Sequence, residues 1–262
     1  MSQITQKGAT GALALYAGTA FQTSTDANLA TLTGTRWDLE DGREVILVSN
    51  GTATATVAGD LYQDAAVVPN HQGCTTTAFT AASTNGNVPA QVTITLGNTL
   101  LTANQYQGGF LYVQSGVGIG QTLLIASHPA AIASASVVIT LEDNPTVALT
   151  AASVVSLWPA HGTAVIINPT TPTNAPCGIA LYAIPASTAT VTYYGFLLAK
   201  GLTAALSDST APAVGHAIAS STTTPGTIGA TAYTSSVVTG TVIGNTVYAA
   251  TSAAANMVWL NL

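Results

Sequence analysis

The segment Glu44-Val-Ile-Leu-Val-Ser-Asn-Gly-Thr-Ala-Thr-Ala-Thr-Val57 carries the strongest fold signal in the chain. Its first half is a run of aliphatic and β-branched residues, and its second half alternates Thr with Ala, as strands often do. Asn50-Gly51 lies between the halves and readily adopts the positive φ angles of a type I′ turn. The segment therefore predicts a β-hairpin. Asn50-Gly51-Thr52 also matches a glycosylation acceptor, but the turn already explains these residues.

Strand patterns recur on both sides of this hairpin. Helical periodicity is nearly absent, because Gly, Pro and β-branched residues interrupt most windows long enough to show it. Short strands at regular spacing predict an all-β fold, a sandwich or a barrel. The predicted strands are 91–96, 110–113, 121–125, 137–141 and 154–157 in the middle of the chain, then 178–184, 191–198, 213–218, 240–243, 246–248 and 257–262.

Four parts are expected along the chain. They are an N-terminal arm over 1–35, a β-rich sandwich or barrel-like domain over 36–168, a linker over 169–176 and a small C-terminal β-barrel domain over 177–262. The linker is assigned because residues 168–176 contain three prolines and no large apolar side chain. The apolar end, 257–262, is expected to dock as a final strand rather than remain free.

The residues before Gly34 fit either a strapping arm or a disordered tail, and the sequence leaves both open. As an arm, the segment would combine pliable glycines with apolar anchors that fit surface grooves. The glycines are Gly8, Gly11 and Gly18, and the anchors are Leu13, Leu15, Tyr16 and Phe21.

Charge is scarce in this chain. Charged residues make up 5% of it, against about 25% in ordinary soluble domains. Hydroxyl and amide side chains must therefore hydrate the surface, and such a surface loses less on permanent burial than a charged one. The formal net charge of −6 argues against nucleic acid as a partner, because phosphate binding needs clustered Lys and Arg.

The sequence gives little sign of membrane insertion or secretion. The mean hydropathy is +0.44, but no apolar run approaches the roughly 20 residues of a membrane helix. Residues 11–17 are modestly apolar and bounded by glycines, so no signal peptide is predicted. Cys74 and Cys177 lack the spacing of a zinc site or a disulfide framework. A single bridge between them stays open.

Six of the fourteen charged residues fall within Arg36-Trp-Asp-Leu-Glu-Asp-Gly-Arg-Glu44. In one interpretation this run is an intermolecular contact patch, in which Arg36 and Arg43 pair with a neighbour's carboxylates and Trp37 fills a pocket. In the other it is a local turn at residues 40–43 whose charges are solvated. The turn is favoured because Asp41-Gly42 explains most of the run without a partner.

No catalytic, cofactor-binding or metal-binding residue is predicted. Gly116-Val-Gly-Ile-Gly120 matches no nucleotide-binding motif, and no G-x-S-x-G is present. A metal site would require histidines to meet through folding, with each other or with Glu142 and Asp143. The histidines occur singly, at His71, His128, His161 and His216. We therefore expect no enzyme.

Two groups of segments resemble proteins of tailed-phage heads. Thr102-Ala-Asn-Gln-Tyr-Gln-Gly-Gly-Phe-Leu-Tyr-Val113 and Ser127-His-Pro-Ala-Ala131 resemble head-associated structural proteins. Gly195-Phe-Leu-Leu198, Ala213-Val-Gly-His-Ala-Ile218 and Val258-Trp-Leu260 resemble the small β-barrels of capsid decoration (cement) proteins. The resemblance implies a homotrimer on the outer capsid surface of the virion. It also implies binding to the major capsid protein, synthesis in the host cytoplasm and no catalytic residues.

Two alternatives remain from other classes. One is a receptor-binding or adhesive module of a tail fibre, which would use Tyr193 and Tyr194 as exposed aromatics that stack on sugars. The other is a surface-layer or filament subunit that polymerises through free strand edges.

Overall fold

A computed structural model describes residues 4–6, 16–17, 20–21, 23–51, 54–83, 88–208, 212–234, 237–239, 242–249 and 254–262. The fold is all-β, as predicted. The strands are β1 (Ile4–Gln6), β2 (Tyr16–Ala17), β3 (Ala20–Phe21), β4 (Arg36–Leu39), β5 (Glu44–Ser49), β6 (Leu61–Gln63), β7 (Cys74–Thr80), β8 (Gln91–Thr95), β9 (Phe110–Ser115), β10 (Thr122–Ser127), β11 (Ser136–Leu141), β12 (Val154–Trp158), β13 (Ile166–Ile167), β14 (Pro176–Ala180), β15 (Tyr194–Leu206), β16 (Ala217–Ser220), β17 (Ile228–Ala230), β18 (Ala232–Thr234), β19 (Val237–Thr239), β20 (Gly244–Tyr248) and β21 (Ala255–Asn261). Two 3-10 helices, Ala27–Leu32 and Pro69–His71, complete the described elements.

The chain divides into two compact units, and the division differs from the predicted one. Unit 1 contains residues 1–65 and 161–262, and unit 2 contains residues 66–160. Unit 2 is thus inserted into unit 1. The proline-rich stretch 169–176 is not a linker between domains, because it connects β13 to β14 inside unit 1 and both strands pair with β6. The prolines of this stretch indicate an irregular connection between two strands of one unit, and they do not indicate a domain boundary.

Unit 1 is built on an eleven-stranded sheet. Its main order is β1-β4-β5-β15-β21-β20-β16-β17, and β14 joins β6 and β13 to the side of β15. The predicted small barrel over 177–262 is therefore not separate, since its strands extend the sheet that β4 and β5 begin. The thirteen residues of β15 make this possible, because one part pairs with β5 and another with β21.

The predicted hairpin at Asn50-Gly51 is wrong. Strand β5 exists as predicted, but it pairs with β4 and β15, and residues 54–57 form no strand. Asn50 is buried, and its side-chain amide donates hydrogen bonds to the carbonyls of Thr54, Ile184 and Pro185. These hydrogen bonds tie Asn50 to residues that are distant in sequence. The Asn-Gly pair therefore stabilises a tertiary contact here and does not form a hairpin turn.

The C-terminal segment docks as predicted. Strand β21 lies between β15 and β20 and buries every second residue, with Asn256, Val258 and Leu260 inward. Val258 and Leu260 pack in a core cluster with residues of β6, β14, β16 and β17. A second cluster places Trp37, which is fully buried, edge-on to Phe196 with ring centroids 5.3 Å apart.

The predicted N-terminal arm is partly integrated into unit 1. Strand β1 pairs with β4, Ser24 bridges to Tyr194, and Leu29 packs in the Trp37 cluster. Of the predicted anchors, Tyr16 and Phe21 pair with each other through the backbone of β2 and β3. The remaining anchors and the predicted glycines, Leu13, Leu15, Gly8, Gly11 and Gly18, lie outside the described residues.

Unit 2 is a closed six-stranded antiparallel barrel in the order β10-β11-β8-β7-β12-β9. All five strands predicted for the middle of the chain are present in it. Its inward residues alternate along each strand, as Val92 and Ile94 do in β8 and Val137 and Ile139 do in β11. These side chains share one core with Leu111, Ile125 and Leu157. Among the described residues of the whole chain, no helix is long and apolar enough to cross a membrane.

Candidate functional site

The charged run 36–44 forms a turn, as the favoured interpretation predicted. Leu39 and Arg43 close it through a backbone hydrogen bond, and Gly42 adopts a φ of 81°. Both of its arginines are paired within the chain, because Arg43 Nε lies 2.7 Å from Asp41 Oδ2 and Arg36 Nη1 lies 2.9 Å from Glu44 Oε1. Trp37 is buried in the core, so it cannot fill a neighbour's pocket. The part of the intermolecular-patch interpretation that placed Trp37 in a neighbour's pocket is therefore wrong.

An exposed apolar surface lies instead on the largest sheet. Beyond Lys200, every second residue of β15 faces outward, which brings Leu202 opposite Trp259 of β21. A register shift in β20 places Tyr248 opposite Met257. We call these four side chains the apolar face. Their exposed fractions are 40% for Leu202, 49% for Trp259, 66% for Tyr248 and 38% for Met257.

A groove runs between the apolar face and the charged turn. It is lined by Leu202, Met257 and Trp259 on one side and by Asp41 and Arg43 on the other. Gly201, with a φ of 106°, allows this close approach, because a Cβ there would come 2.8 Å from Cγ of Arg43. Since Asp41 and Arg43 neutralise one another, the groove carries no net formal charge.

The tyrosines predicted to be exposed for an adhesive module are not exposed in this way. Tyr194 is 5% exposed and belongs to the Trp37 cluster, and Tyr193 is only partly exposed. The backbone of Tyr194 pairs with that of Ser24, and the backbone N–H of Asn50 donates to the carbonyl of Tyr193. The start of β15 is therefore enclosed by neighbouring segments, which explains the low exposure of both tyrosines. Among the side chains of unit 1 whose exposure the structure describes, the exposed aromatics are Tyr248 and Trp259.

Two of the four histidines meet through folding in unit 2, around the phenol of Tyr106. His71 Nδ1 lies 2.8 Å from that hydroxyl, and His128 Nε2 accepts a hydrogen bond from the Tyr106 backbone N–H. Burial lowers the pKa of both histidines. His71 Nε2 also contacts the carbonyl of Thr99, so the neutral ring with a proton on Nε2 satisfies both contacts.

The carboxylates considered as partners for histidines serve elsewhere. Asp143 accepts a hydrogen bond from the backbone N–H of Leu124, and Glu142 is exposed. His216 is exposed in a turn before β16. None of these three belongs to a group of possible metal ligands in the described part of the chain.

One mixed group of polar side chains was not anticipated from the sequence. Asp64, His161 and Cys177 each offer a donor atom within 4.8 Å of the other two. His161 Nδ1 lies 2.6 Å from Asp64 Oδ2, and the backbone N–H of Gly162 donates to Asp64 Oδ1 at 2.7 Å. The Asp64 side chain is 5% exposed, whereas the His161 side chain is 35% exposed. The Cys177 side chain is fully buried. We call this group the Asp64 cluster.

Local backbone features aim these three side chains at one point. Asp64 directly follows β6, and Cys177 lies where the pairing of β14 with β6 shifts register between Pro176 and Gly178. Such a bulge re-aims a side chain out of the regular alternation. His161 begins a turn that continues through Gly162, whose φ is 76°. A Cβ at Gly34 would lie 2.5 Å from the His161 carbonyl oxygen, so only glycine allows this turn to pack so closely.

The Asp64 cluster does not have the chemistry of a cysteine nucleophile. Burial raises the pKa of the Cys177 thiol well above its usual range, and the nearby Asp64 carboxylate raises it further. A catalytic thiol needs the opposite, a lowered pKa and access for a substrate. The two cysteines are both free and buried, in different units, so no bridge joins Cys74 to Cys177.

Comparison of the chain with models of known protein families, with curated proteins and with solved structures finds no significant match. Function is therefore inferred from the composition and geometry of this chain itself. Two features stand out in the described residues, the apolar face with its groove and the Asp64 cluster. The first suits a protein partner, and the second suits a small ion.

Proposed function

We propose that this protein is a structural component of a virus particle. In this proposal it decorates and stabilises the outer surface of a tailed-phage capsid by bridging major capsid protein subunits, with the apolar face as its main contact. The observation that carries the proposal is this face, because two aromatic side chains, a thioether and a branched aliphatic side chain lie together on exposed strands of a chain that has few charges.

The composition of the apolar face matches the cores of protein interfaces. Tyr, Trp and Met are enriched there, and charged residues are depleted. A few such side chains supply most of the binding energy when they enter pockets on a partner. Leu202 and Trp259 form a cross-strand pair in the centre of this sheet, so their backbones are held in place before binding. Little backbone conformational entropy then remains to be lost when a partner docks.

Charge favours a neutral protein surface as the partner. The formal charges lining the groove belong to Asp41 and Arg43, which pair with each other. An anionic lipid surface or nucleic acid would need clustered basic residues, and the whole chain has four Lys and Arg. A capsid surface with a protruding apolar side chain fits both the shape and the neutrality of the groove.

In the proposed role, each copy of the chain bridges neighbouring capsid subunits. A chain that contacts two subunits at once gains effective concentration for the second contact, so each contact can be modest. A homotrimer would multiply this effect by presenting the apolar face three times. The charge-poor exterior supports such assembly, since hydroxyl-bearing surfaces are buried at lower cost than charged ones.

The decisive experiment has two steps. Cryo-electron microscopy of the intact particle should show this chain on the outer shell, in contact with two or more capsid subunits. Capsids that lack the protein should then bind the purified chain, and the L202S/W259S variant should bind at least about 30-fold more weakly. The control is L100S/I132S, which replaces two apolar residues of unit 2 that are more exposed than Leu202 and Trp259.

Several outcomes would reject the proposal. Density confined to the tail or fibres would favour an adhesive module, and filaments formed by the purified chain without capsids would favour a self-polymerising subunit. Equal binding by L202S/W259S and the unchanged protein would show that the apolar face is not the contact. A loss of binding in the L100S/I132S control alone would shift the contact to unit 2.

A further inference from the structure

We propose that Asp64, His161 and Cys177 bind one divalent transition-metal ion of the zinc class. The three side chains supply one carboxylate oxygen, one imidazole nitrogen and one sulfur, with their donor atoms within 4.8 Å of one another. This inference is independent of the capsid proposal.

The donor set selects the class of metal. Sulfur and imidazole nitrogen are preferred by Zn²⁺ and by Co²⁺, which adopts similar sites, whereas Ca²⁺ and Mg²⁺ prefer oxygen donors. Ligands around a tetrahedral zinc ion lie roughly 3.2 to 3.8 Å from one another, given metal–ligand distances of about 2.0 to 2.3 Å. The Asp64 cluster therefore needs only small side-chain adjustments. The ion would replace the direct contact between His161 Nδ1 and Asp64 Oδ2.

The surroundings of the cluster already hold the ligands in place. The N–H of Gly162 binds Asp64 Oδ1, which leaves Oδ2 to act as the donor atom. Such hydrogen bonds to a metal-binding carboxylate fix its orientation before the ion arrives. Cys177 reaches the cluster through the bulge in β14, and its side chain is fully buried. The partly exposed imidazole of His161 leaves an approach from solvent, from which a water molecule would supply the fourth ligand.

A bound ion would stabilise the chain at a particular place. Asp64 precedes the inserted residues 66–160 and His161 follows them, so the ion would join the two chain segments at the base of the insertion. Cys177 would add the strand β14 to this link. A metal that ties distant segments together contributes its binding free energy to folding.

The test uses the full chain after treatment with a chelator. Titration with Co²⁺ should produce the ultraviolet absorption of a cobalt–thiolate bond, saturating at one ion per chain, and Zn²⁺ should displace the cobalt. The C177A variant should lose this absorption, whereas C74A, which removes the other buried thiol, should retain it. The H161Q variant changes a partly exposed side chain, and it should fold normally while binding Zn²⁺ at least about 10-fold more weakly.

Clear results would overturn the inference. Absence of cobalt–thiolate absorption in the unchanged protein would show that the three side chains only bond one another. Absorption that survives C177A but vanishes in C74A would place the thiolate ligand in unit 2. Unchanged Zn²⁺ affinity in H161Q, with an unchanged circular dichroism spectrum, would remove the imidazole from the site. Capsid binding by these variants is a separate measurement and does not bear on any of these results.

Discussion

At the scale of single residues, two buried aspartates flank β6 and differ in their neighbours. Asp64 accepts a hydrogen bond from the backbone N–H of Gly162, and its Oδ2 atom lies 2.6 Å from Nδ1 of His161. Asp60 is 7% exposed, and its carboxyl group lies against the backbone at Gly226, where a Cβ would come within 3.0 Å of it. Burial raises the pKa of Asp60 to about 6. Asp60 is still mostly ionised at neutral pH, but ionisation is less favourable in the folded state than in the unfolded state and therefore lowers stability.

The D60N variant should be more stable than the unchanged protein at pH 7.5. The folded pKa of about 6 exceeds the usual value of 3.8, so ionisation destabilises the fold by an amount that grows as pH rises from 4 to above 6. Removing the charge should raise the free energy of unfolding by about 1–3 kcal/mol at pH 7.5 and by little at pH 4. Denaturant titration, followed by tryptophan emission to which buried Trp37 contributes, measures the difference.

The control for Asp60 is E40Q, which removes one negative charge from an exposed position of the turn in unit 1. It should change the free energy of unfolding by less than about 0.5 kcal/mol. Stabilisation of the same size in E40Q would mean that net charge, and not burial of Asp60, sets the effect.

At the scale of elements, buried polar contacts connect segments of unit 2 that are distant in sequence. His71 ends the 3-10 helix Pro69–His71, Tyr106 precedes β9, and His128 follows β10. Both rings pack near the tyrosine, with centroids 5.6 and 6.0 Å from it. These three side chains are fully or nearly fully buried. Such a network supports folding only while each group keeps its hydrogen-bonding role.

Unit 2 should lose stability when the pH falls below about 6.5, the usual pKa of histidine. Burial lowers the pKa of His71 and His128 in the folded state, so the unfolded state binds protons first and stability decreases with acidification. Each histidine contributes at most about 1.4 kcal/mol per pH unit over this window. Hydrogen exchange of the barrel amides between pH 7.5 and 5 measures the change, after correction for the intrinsic exchange rate.

Single replacements identify the histidines responsible. H71Q and H128Q should each flatten the pH dependence of the barrel, whereas H216Q, at an exposed position in unit 1, should leave it unchanged. A barrel whose stability stays constant down to pH 5 would contradict the prediction. So would a flattened profile in H216Q.

At the scale of the whole molecule, the chain inserts one compact unit into another. Asp64 and His161 lie in contact on either side of residues 66–160, so the insertion leaves and rejoins unit 1 at neighbouring points. Unit 2 has its own core and closes its six strands on themselves. Each unit therefore contains the contacts that it needs for folding.

Replacing residues 66–160 by a Gly-Ser linker of about six residues should leave unit 1 folded. The barrel, expressed alone over 66–160, should also fold, because its core side chains come from within that range. Circular dichroism and cooperative denaturation of each product measure the outcome. The comparison variant deletes only residues 91–141, which contain β8 to β11. The remaining strands cannot close a barrel, so unit 2 should unfold in this variant. Aggregation or a non-cooperative transition in both designed products would contradict independent folding.

The sequence by itself determined several elements of this protein. Alternation and β-branched residues predicted five of the six barrel strands, Asp41-Gly42 predicted its turn, and the apolar C-terminus predicted a docked final strand. These features are local, because side-chain periodicity and turn conformation depend on a few neighbouring residues. The scarcity of charge was equally visible in the composition.

Only the tertiary structure decided which strands pair and which side chains meet. Any strand such as β5 offers the same backbone hydrogen bonds to many partners, so packing over the whole sheet selected β15 over the adjacent residues 54–57. The apolar face forms because the strand registers of β15, β21 and β20 bring its four side chains together on one side of the sheet. The Asp64 cluster joins residues 97 positions apart, at His161 and Asp64. No spacing rule reaches that far, because the distance between such residues in space is set by the fold and not by the intervening sequence.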